Sequence, residues 1–378
     1  MNKYIYILGL VGTALLSACS SDDLTTVLSP DEERALVVEA GKDSDVPITL
    51  GVGMGRAMTR TPIESDDDVF TIGGGKLGVF CLAAGTQPDA PSFVDVDIDW
   101  ETDYLATWLN NVPASVKKGG DGNSYVEFRK FSPSSPSESM IRYYPIGNWC
   151  YDFYAYYPRV TDISILTGND GKKSYFASTT ITGKEDVIWG KASGDTGNGG
   201  FSAKYLRENP DNVPEFGFEH KLTQFVFYVK PNDEAAAAEF SDSKIKVTGL
   251  YLKDVDTKFN LCVASMSSDH TPGELELPTT RIQGNINVYK TGTNNDAFDG
   301  GGTTYLVATD SSDTLSKEIG YAMVPPIAGN NYMVQLVVKD GDGNDYNRAY
   351  IVTPPEGGFK AGKIYNVVIS ITSEDLGI

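Results

Sequence analysis

Val46-Pro47-Ile48-Thr49-Leu50-Gly51-Val52-Gly53-Met54 alternates large apolar residues with small or polar ones. Ile48, Leu50, Val52 and Met54 fall on one side, and Thr49, Gly51 and Gly53 on the other. A period of two predicts a half-buried strand, here with a smooth outer face. Alternating or near-continuous apolar and aromatic runs recur at 76–82, 151–157, 222–229, 332–339 and 365–371. Between runs stand hairpin-type loops: Gly120-Asp121-Gly122-Asn123, Gly168-Asn169-Asp170-Gly171 and Gly341-Asp342-Gly343-Asn344. Many short strands among 39 glycines and 19 prolines predict an all-β chain of sandwiches rather than a βαβ fold. Only 233–240, with Ala235 to Ala238, has helical character, for about two turns. The loop-rich stretch 194–214 marks a candidate boundary before a new run of strands at 216–230.

Upstream, Met1–Ala18 has the form of a secretory signal, with Lys3 in the n-region and an apolar run from Tyr4 to Leu16. That run is short for a bilayer span, which leaves a transmembrane helix the weaker alternative. It closes with Leu16-Ser17-Ala18-Cys19, small residues before a cysteine, which resembles a bacterial lipobox. Cleavage before Cys19 frees its thiol for a diacylglycerol and its amine for a further acyl chain such as palmitate. Several chains anchor stably where one does not. Residues 19–45 are then a lipidated, polar tether.

Removal of the signal leaves about 360 residues, enough for one large or two ordinary domains. Hydrophobic content of 40% with 11% aromatic is ample for packed cores. Net charge is −20, and the signal carries away only Lys3, making it −21. This acidity argues against nucleic acid and against electrostatic docking on anionic lipid. Beyond Cys19, the cysteines Cys81, Cys150 and Cys262 are scattered without a CxxC pair. No zinc site or disulfide framework is signalled. Cys81 and Cys150 could bridge, but both sit in apolar strand patterns and suit buried thiols.

Several local patterns follow one another in a telling order. Tyr143-Tyr144-Pro145 precedes Tyr151-Asp152-Phe153-Tyr154-Ala155-Tyr156-Tyr157-Pro158, then Asp186-Val187-Ile188-Trp189-Gly190-Lys191-Ala192 and Phe218-Glu219-His220-Lys221-Leu222-Thr223. Val324-Pro325-Pro326 and Phe359-Lys360-Ala361-Gly362-Lys363-Ile364-Tyr365 complete the series. Behind a lipobox, this order resembles the fimbrillin superfamily of lipoprotein pilins, the FimA and Mfa-like group of type V pili. The resemblance implies two tandem transthyretin-like Greek-key β-sandwich domains, 46–215 and 216–378, and a fimbrial structural subunit rather than an enzyme.

It also implies an assembly route. Cys19-Ser20-Ser21-Asp22-Asp23 resembles the family's acidic surface-export signal, so the precursor is expected at the cell outer membrane, lipid-anchored and surface-exposed, and then in the fimbrium. An Arg-specific protease cuts behind an early strand, here after Arg60 or, second, Arg56. The displaced strand carries Ile48, Leu50, Val52 and Met54, and a donor strand from another pilin subunit replaces it by β-augmentation. Burying those four side chains at ~1.5–3 kcal/mol each gives roughly 6–12 kcal/mol as an upper bound, so a nicked strand stays until another competes. Alternatively, 46–54 is an ordinary first strand and Arg56 and Arg60 are surface arginines. Stalk subunits of the family carry a C-terminal donor extension. Here seven residues follow 365–371, two of them acids, which points to a tip or accessory subunit used in adhesion. The surface receptor stays unassigned. The rival reading is a permanently anchored surface lipoprotein that binds glycans.

Other chemistry is poorly signalled, and no cofactor or metal is expected. Asp340-Gly341-Asp342-Gly343-Asn344-Asp345 opens like a calcium loop, but has Asp345 where an EF-hand needs glycine and Ile351 where it needs glutamate. A hairpin turn is the better fit. Glycine runs at 51–55 and 73–76 lack dinucleotide and P-loop spacing. His220 and His270 stand far apart, and no HExxH or GxSxG occurs. Trp100, Trp108, Trp149 and Trp189 could stack on sugars, although Trp149 and Trp189 sit in or beside core-like strands. Asp313-Thr314-Leu315 resembles a short bacterial O-glycosylation signal.

Overall fold

The computed structural model describes residues 43–53, 71–89, 92–103, 105–120, 123–130, 138–147, 149–194, 199–289, 305–306, 318–326 and 331–376. Cys19, Met54, Arg56, Arg60 and Asp313-Thr314-Leu315 lie outside them. Within these residues the chain is an all-β protein, as its alternation and turn signals predict, with short helices at Ala203–Glu208, Glu234–Asp242 and Ser373–Leu376.

The first half is organised around a closed barrel. Its strands run in the order Ile188–Ser193, Glu215–His220, Gly51–Gly53, Ser124–Phe128, Thr107–Lys118, Ile72–Ala83 and Tyr151–Tyr157, the last pairing back to Ile188–Ser193. Tyr151–Tyr157 is buried on both faces, which explains a sequence that is nearly all aromatic. A second sheet, Ile163–Thr167, Lys173–Thr180, Lys258–Ser265 and Leu275–Glu276, lies against the barrel. Tyr175 from this sheet meets Phe80 at 5.4 Å and Trp100 at 5.6 Å between ring centroids.

The second half packs two sheets face to face. One places Thr223–Pro231 between Glu318–Val324, antiparallel, and Ile364–Ile371, parallel. The other runs Gln283–Asn287, Lys246–Asp256, Tyr332–Lys339, Asp345–Val352, with Tyr305–Leu306 paired to the second of these. Phe225 anchors the core between them, its ring 5.3 Å from Tyr332 and 4.9 Å from Phe359. The halves interleave across residue 216: Glu215–His220 is a barrel strand, and Lys258–Ser265 pairs with Lys173–Thr180. The chain changes sheet at Lys221 and Leu222, between Glu215–His220 and Thr223–Pro231.

Several local details differ from a simple reading of the sequence. Over its described residues, 46–53, the predicted strand is broken in two: Asp43–Pro47 pairs with Tyr143–Pro145, and the barrel pairing begins at Gly51. Pro47 has no N–H to extend a ladder, and the chain changes neighbours just beyond it. Within the loop-rich 194–214, Ser202 caps the helix Ala203–Glu208 by accepting from Tyr205 N at 3.1 Å. Six residues are too few for a readable helical period. Asp233 caps Glu234–Asp242 in the same way through Ala236 N, at 2.8 Å. Cys81, Cys150 and Cys262 are buried thiols. Burial pushes the Cys150 and Cys262 thiols up to about 12 and Cys81 well above its usual range, so all three stay protonated and inert.

Candidate functional site

Gly51–Gly53 is the stave that closes the barrel. On one side it runs parallel to Glu215–His220, with Gly51, Val52 and Gly53 opposite Glu215, Phe216 and Gly217. On the other it is antiparallel to Ser124–Phe128, with Gly51 opposite Tyr125 and Val52 opposite Ser124. Backbone bonds tie the stretch on both sides: Gly51 N donates to Pro214 O at 2.9 Å, Val126 N to Leu50 O at 2.9 Å, and Ile48 N to Arg142 O at 2.7 Å. The side chains follow the two-residue period. Ile48, Leu50 and Val52 are buried at 5%, 0% and 7% exposure, whereas Thr49 is exposed.

The outer face is smooth because Glu215 lies across it. A Cβ at Gly53 would stand 3.1 Å from Glu215 Cδ, and one at Gly51 3.4 Å from its Cγ. Upstream, Arg207 bonds the Asp45 carboxylate at 2.6 Å and holds it below its usual range. Both side chains are well exposed, so this pair contributes little. Without Gly51–Gly53 the barrel would present two facing edges of unpaired N–H and C=O groups, flanking a trough lined by the core. Such an edge pairs readily with any strand offered to it. The structure thus brings Ile48, Leu50 and Val52 together in one seam. Glu215, which covers that seam, sits far along the sequence and carries no local signal of its role.

The other candidates are structural. Asp340 accepts from Asp342 N at 2.9 Å, Asn344 N at 2.8 Å, Asn344 Nδ2 at 2.8 Å and Tyr346 Oη at 3.0 Å. These bonds shape the hairpin between Tyr332–Lys339 and Asp345–Val352 and hold the carboxyl at about 2. His220 Nδ1 meets Asp186 Oδ2 at 2.6 Å where one sheet gives way to the next. His270 Nδ1 bonds Glu276 Oε1 at 2.8 Å, and its ring stands edge-on to Phe176. The indoles of Trp100, Trp108 and Trp189 donate to Ala83 O, Tyr143 O and Val263 O. Lys221 lies 5.0 Å over the Trp189 ring, and Trp149 packs on the core. Among the described residues no group of His, Cys, Asp and Glu could hold a metal ion, and no helix is long and apolar enough to cross a membrane.

Among the described residues, then, the segment around Gly51–Gly53 closes an all-β barrel. Residues 73–378 match the model of the fimbrillin-like family, and the chain belongs to that family. Membership makes the chain a fimbrillin-like structural protein with a fimbrial role at the cell surface. No curated protein matches the chain. Among solved structures it is similar to a candidate cell adhesion protein from Bacteroides uniformis, at 15% identity and a TM-score of 0.44, covering 86% of this chain and 93% of that one. Candidate cell adhesion proteins from Parabacteroides distasonis and Bacteroides eggerthii match at 10% and 12% identity, with TM-scores of 0.39 and 0.40. They cover 87% and 89% of this chain, and 89% of each partner.

Proposed function

We propose that this chain is a tip or accessory fimbrillin mediating adhesion, assembled by removal of its first strand and insertion of a donor strand. The observation that carries the reading is the position of Gly51–Gly53, the stave between Ser124–Phe128 and Glu215–His220. In this scheme acylated Cys19 tethers the precursor to the outer membrane, and an Arg-specific protease cuts after Arg60 or, second, Arg56. Residues 46–54 then leave, and a strand from another pilin subunit takes the trough. Two tandem transthyretin-like Greek-key units, expected over 46–215 and 216–378, belong to the same proposal, with Glu215–His220 assigned to the first because it is a barrel strand.

The tip position draws support from the far end of the described chain. Ile364–Ile371 runs parallel to Thr223–Pro231 along eight register pairs. The helix Ser373–Leu376 folds back so that Leu376 is buried, and Ser373 Oγ bonds Glu239. A strand so engaged is a poor donor.

The test is the N-terminus of the protein on intact cells, read by mass spectrometry of sheared surface material. A mature chain starting at Thr61 or Ala57 is expected. A chain still beginning at acylated Cys19 would sink strand exchange by this route and favour the anchored glycan-binding lipoprotein.

A further inference from the structure

A cavity of about 440 Å³ opens on the outside of the barrel, lined by Asn110, Val112, Pro113, Arg142, Arg159 and Thr161 among others. Two arginines line this cavity in a chain of net charge −20, and no carboxylate does so among the described residues. The long-range field of so acidic a protein repels anions, so a paired-cation pocket runs against the background. Arg142 Nε is shut off from solvent yet meets no hydrogen-bond acceptor among the described residues. Arg142 as a whole is half-buried, its Nε covered by protein while the residue lines the cavity.

The pocket is built, not incidental. The Thr107–Lys118 strand carries one extra residue against Ile72–Ala83: Val112 opposes Val79, and Leu109 opposes Cys81. This bulge puts Asn111 at φ +50°, in the left-handed region, and turns the strand at the mouth of the pocket. Asn111 is fixed on three sides. Its Oδ1 accepts from Tyr156 Oη at 2.9 Å, its Nδ2 donates to Val160 O at 2.7 Å, and its carbonyl accepts from Arg159 Nε at 2.9 Å. Gly78 leaves the room for this, since a Cβ there would stand 2.6 Å from Asn111 Oδ1. Arg159 is thereby oriented before any ligand arrives, and exposed Asn110 and Thr161 add polar groups at the rim.

We propose that this pocket binds an acidic saccharide, with Arg142 and Arg159 receiving a carboxylate or sulfate and Asn110 and Thr161 meeting ring hydroxyls. Bidentate guanidinium forks suit both oxyanions. A half-open cleft of this volume suits a sugar unit rather than a folded epitope, and Val112 and Pro113 offer an apolar wall of the kind that supports a ring. The proposal does not rest on the strand-exchange scheme and concerns the uncut chain, in which Ile48 N holds the Arg142 carbonyl at 2.7 Å.

The test is titration calorimetry of the intact, uncut chain with 3′-sialyllactose, a sulfated lactose, neutral lactose and inorganic sulfate. At least one acidic saccharide is expected to bind about tenfold or more tighter than lactose, and the two acidic sugars report which oxyanion is preferred. Arg142→Gln should weaken that binding by about tenfold or more, as expected for a lost charge-assisted hydrogen bond. Asn110→Ala, at an exposed position, should weaken it several-fold with an unchanged Tm, which keeps the test decisive if Arg142→Gln fails to fold. Equal binding of acidic and neutral sugars, binding of inorganic sulfate alone, no binding, or undiminished binding by a folded Arg142→Gln would each overturn the proposal. The N-terminal mass measurement reads the strand-exchange scheme separately.

Discussion

Replacing Leu50 by alanine isolates what the apolar side of the seam contributes. Leu50 has no exposure, and its carbonyl accepts from Val126 N at 2.9 Å, a bond that the substitution leaves in place. Deleting a buried leucine side chain typically costs about 2–5 kcal/mol, a factor of roughly 30 to several thousand in an equilibrium constant. Thr49, the next residue, is exposed, and Thr49→Ala should move stability by no more than about 0.5 kcal/mol. In the uncut chain the difference appears in urea unfolding followed by tryptophan fluorescence. In a chain cut by an Arg-specific protease it appears as faster exchange of the retained strand for a fluorescent peptide of sequence 46–54. Leu50→Ala should speed that exchange by orders of magnitude, while Thr49→Ala leaves it near the wild-type rate. If the two variants behave alike in both assays, burial of this face does not hold the strand, and the reasoning fails.

Two further outcomes follow from geometry elsewhere in the molecule. The Asp340 carboxyl is held at about 2 by bonds from Asn344, Tyr346 and Asp342, below an ordinary value of 3.8. Its support of the hairpin is therefore complete above about pH 4 and fades as pH falls toward 2; a carbon-13 titration midpoint near 4 would contradict this. Gly273 has φ +84°, and a Cβ there would lie 2.6 Å from Trp189 Cε3. Gly273→Val should cost roughly 1–3 kcal/mol and alter Trp189 fluorescence, and an unchanged Tm would refute the packing argument.

What the sequence discloses here is what depends on neighbours along the chain. Tyr151–Tyr157 and Tyr332–Lys339 are legible because a strand's burial repeats every two residues or saturates when both faces are covered. The turn at Asp340–Asn344 is legible because Asp, Gly and Asn make it from their own side chains and backbone freedom. The helix Ala203–Glu208 escapes notice because its signal is one serine cap and a single turn. The barrel's closure escapes for a different reason. Gly51–Gly53 pairs in parallel with residues far down the chain, and no local period encodes a partner. The interleaving of Lys258–Ser265 with Lys173–Thr180 is hidden in the same way. The arginine pocket is hidden twice over, since Arg142 and Arg159 come from separate segments and Asn111 owes its role to a bulge.

The seam joins these two kinds of information in one place. Its inward residues are specified locally, through alternation that any strand of suitable sequence could copy. Its outward residues are glycines overlain by Glu215, so the slot asks little of the outer face beyond small size. In the proposed exchange, a trough with those requirements would recognise a pattern, large and apolar every second residue with small residues between, more than a unique sequence. Backbone pairing to Glu215–Gly217 and Ser124–Tyr125 then supplies bonds that are the same for every occupant. Affinity therefore rests on the backbone and the buried face together, while discrimination rests on the shapes of Ile48, Leu50 and Val52. Under the proposed strand exchange, a strand held in this way would be secure against spontaneous loss, yet open to replacement by another strand with the same alternation.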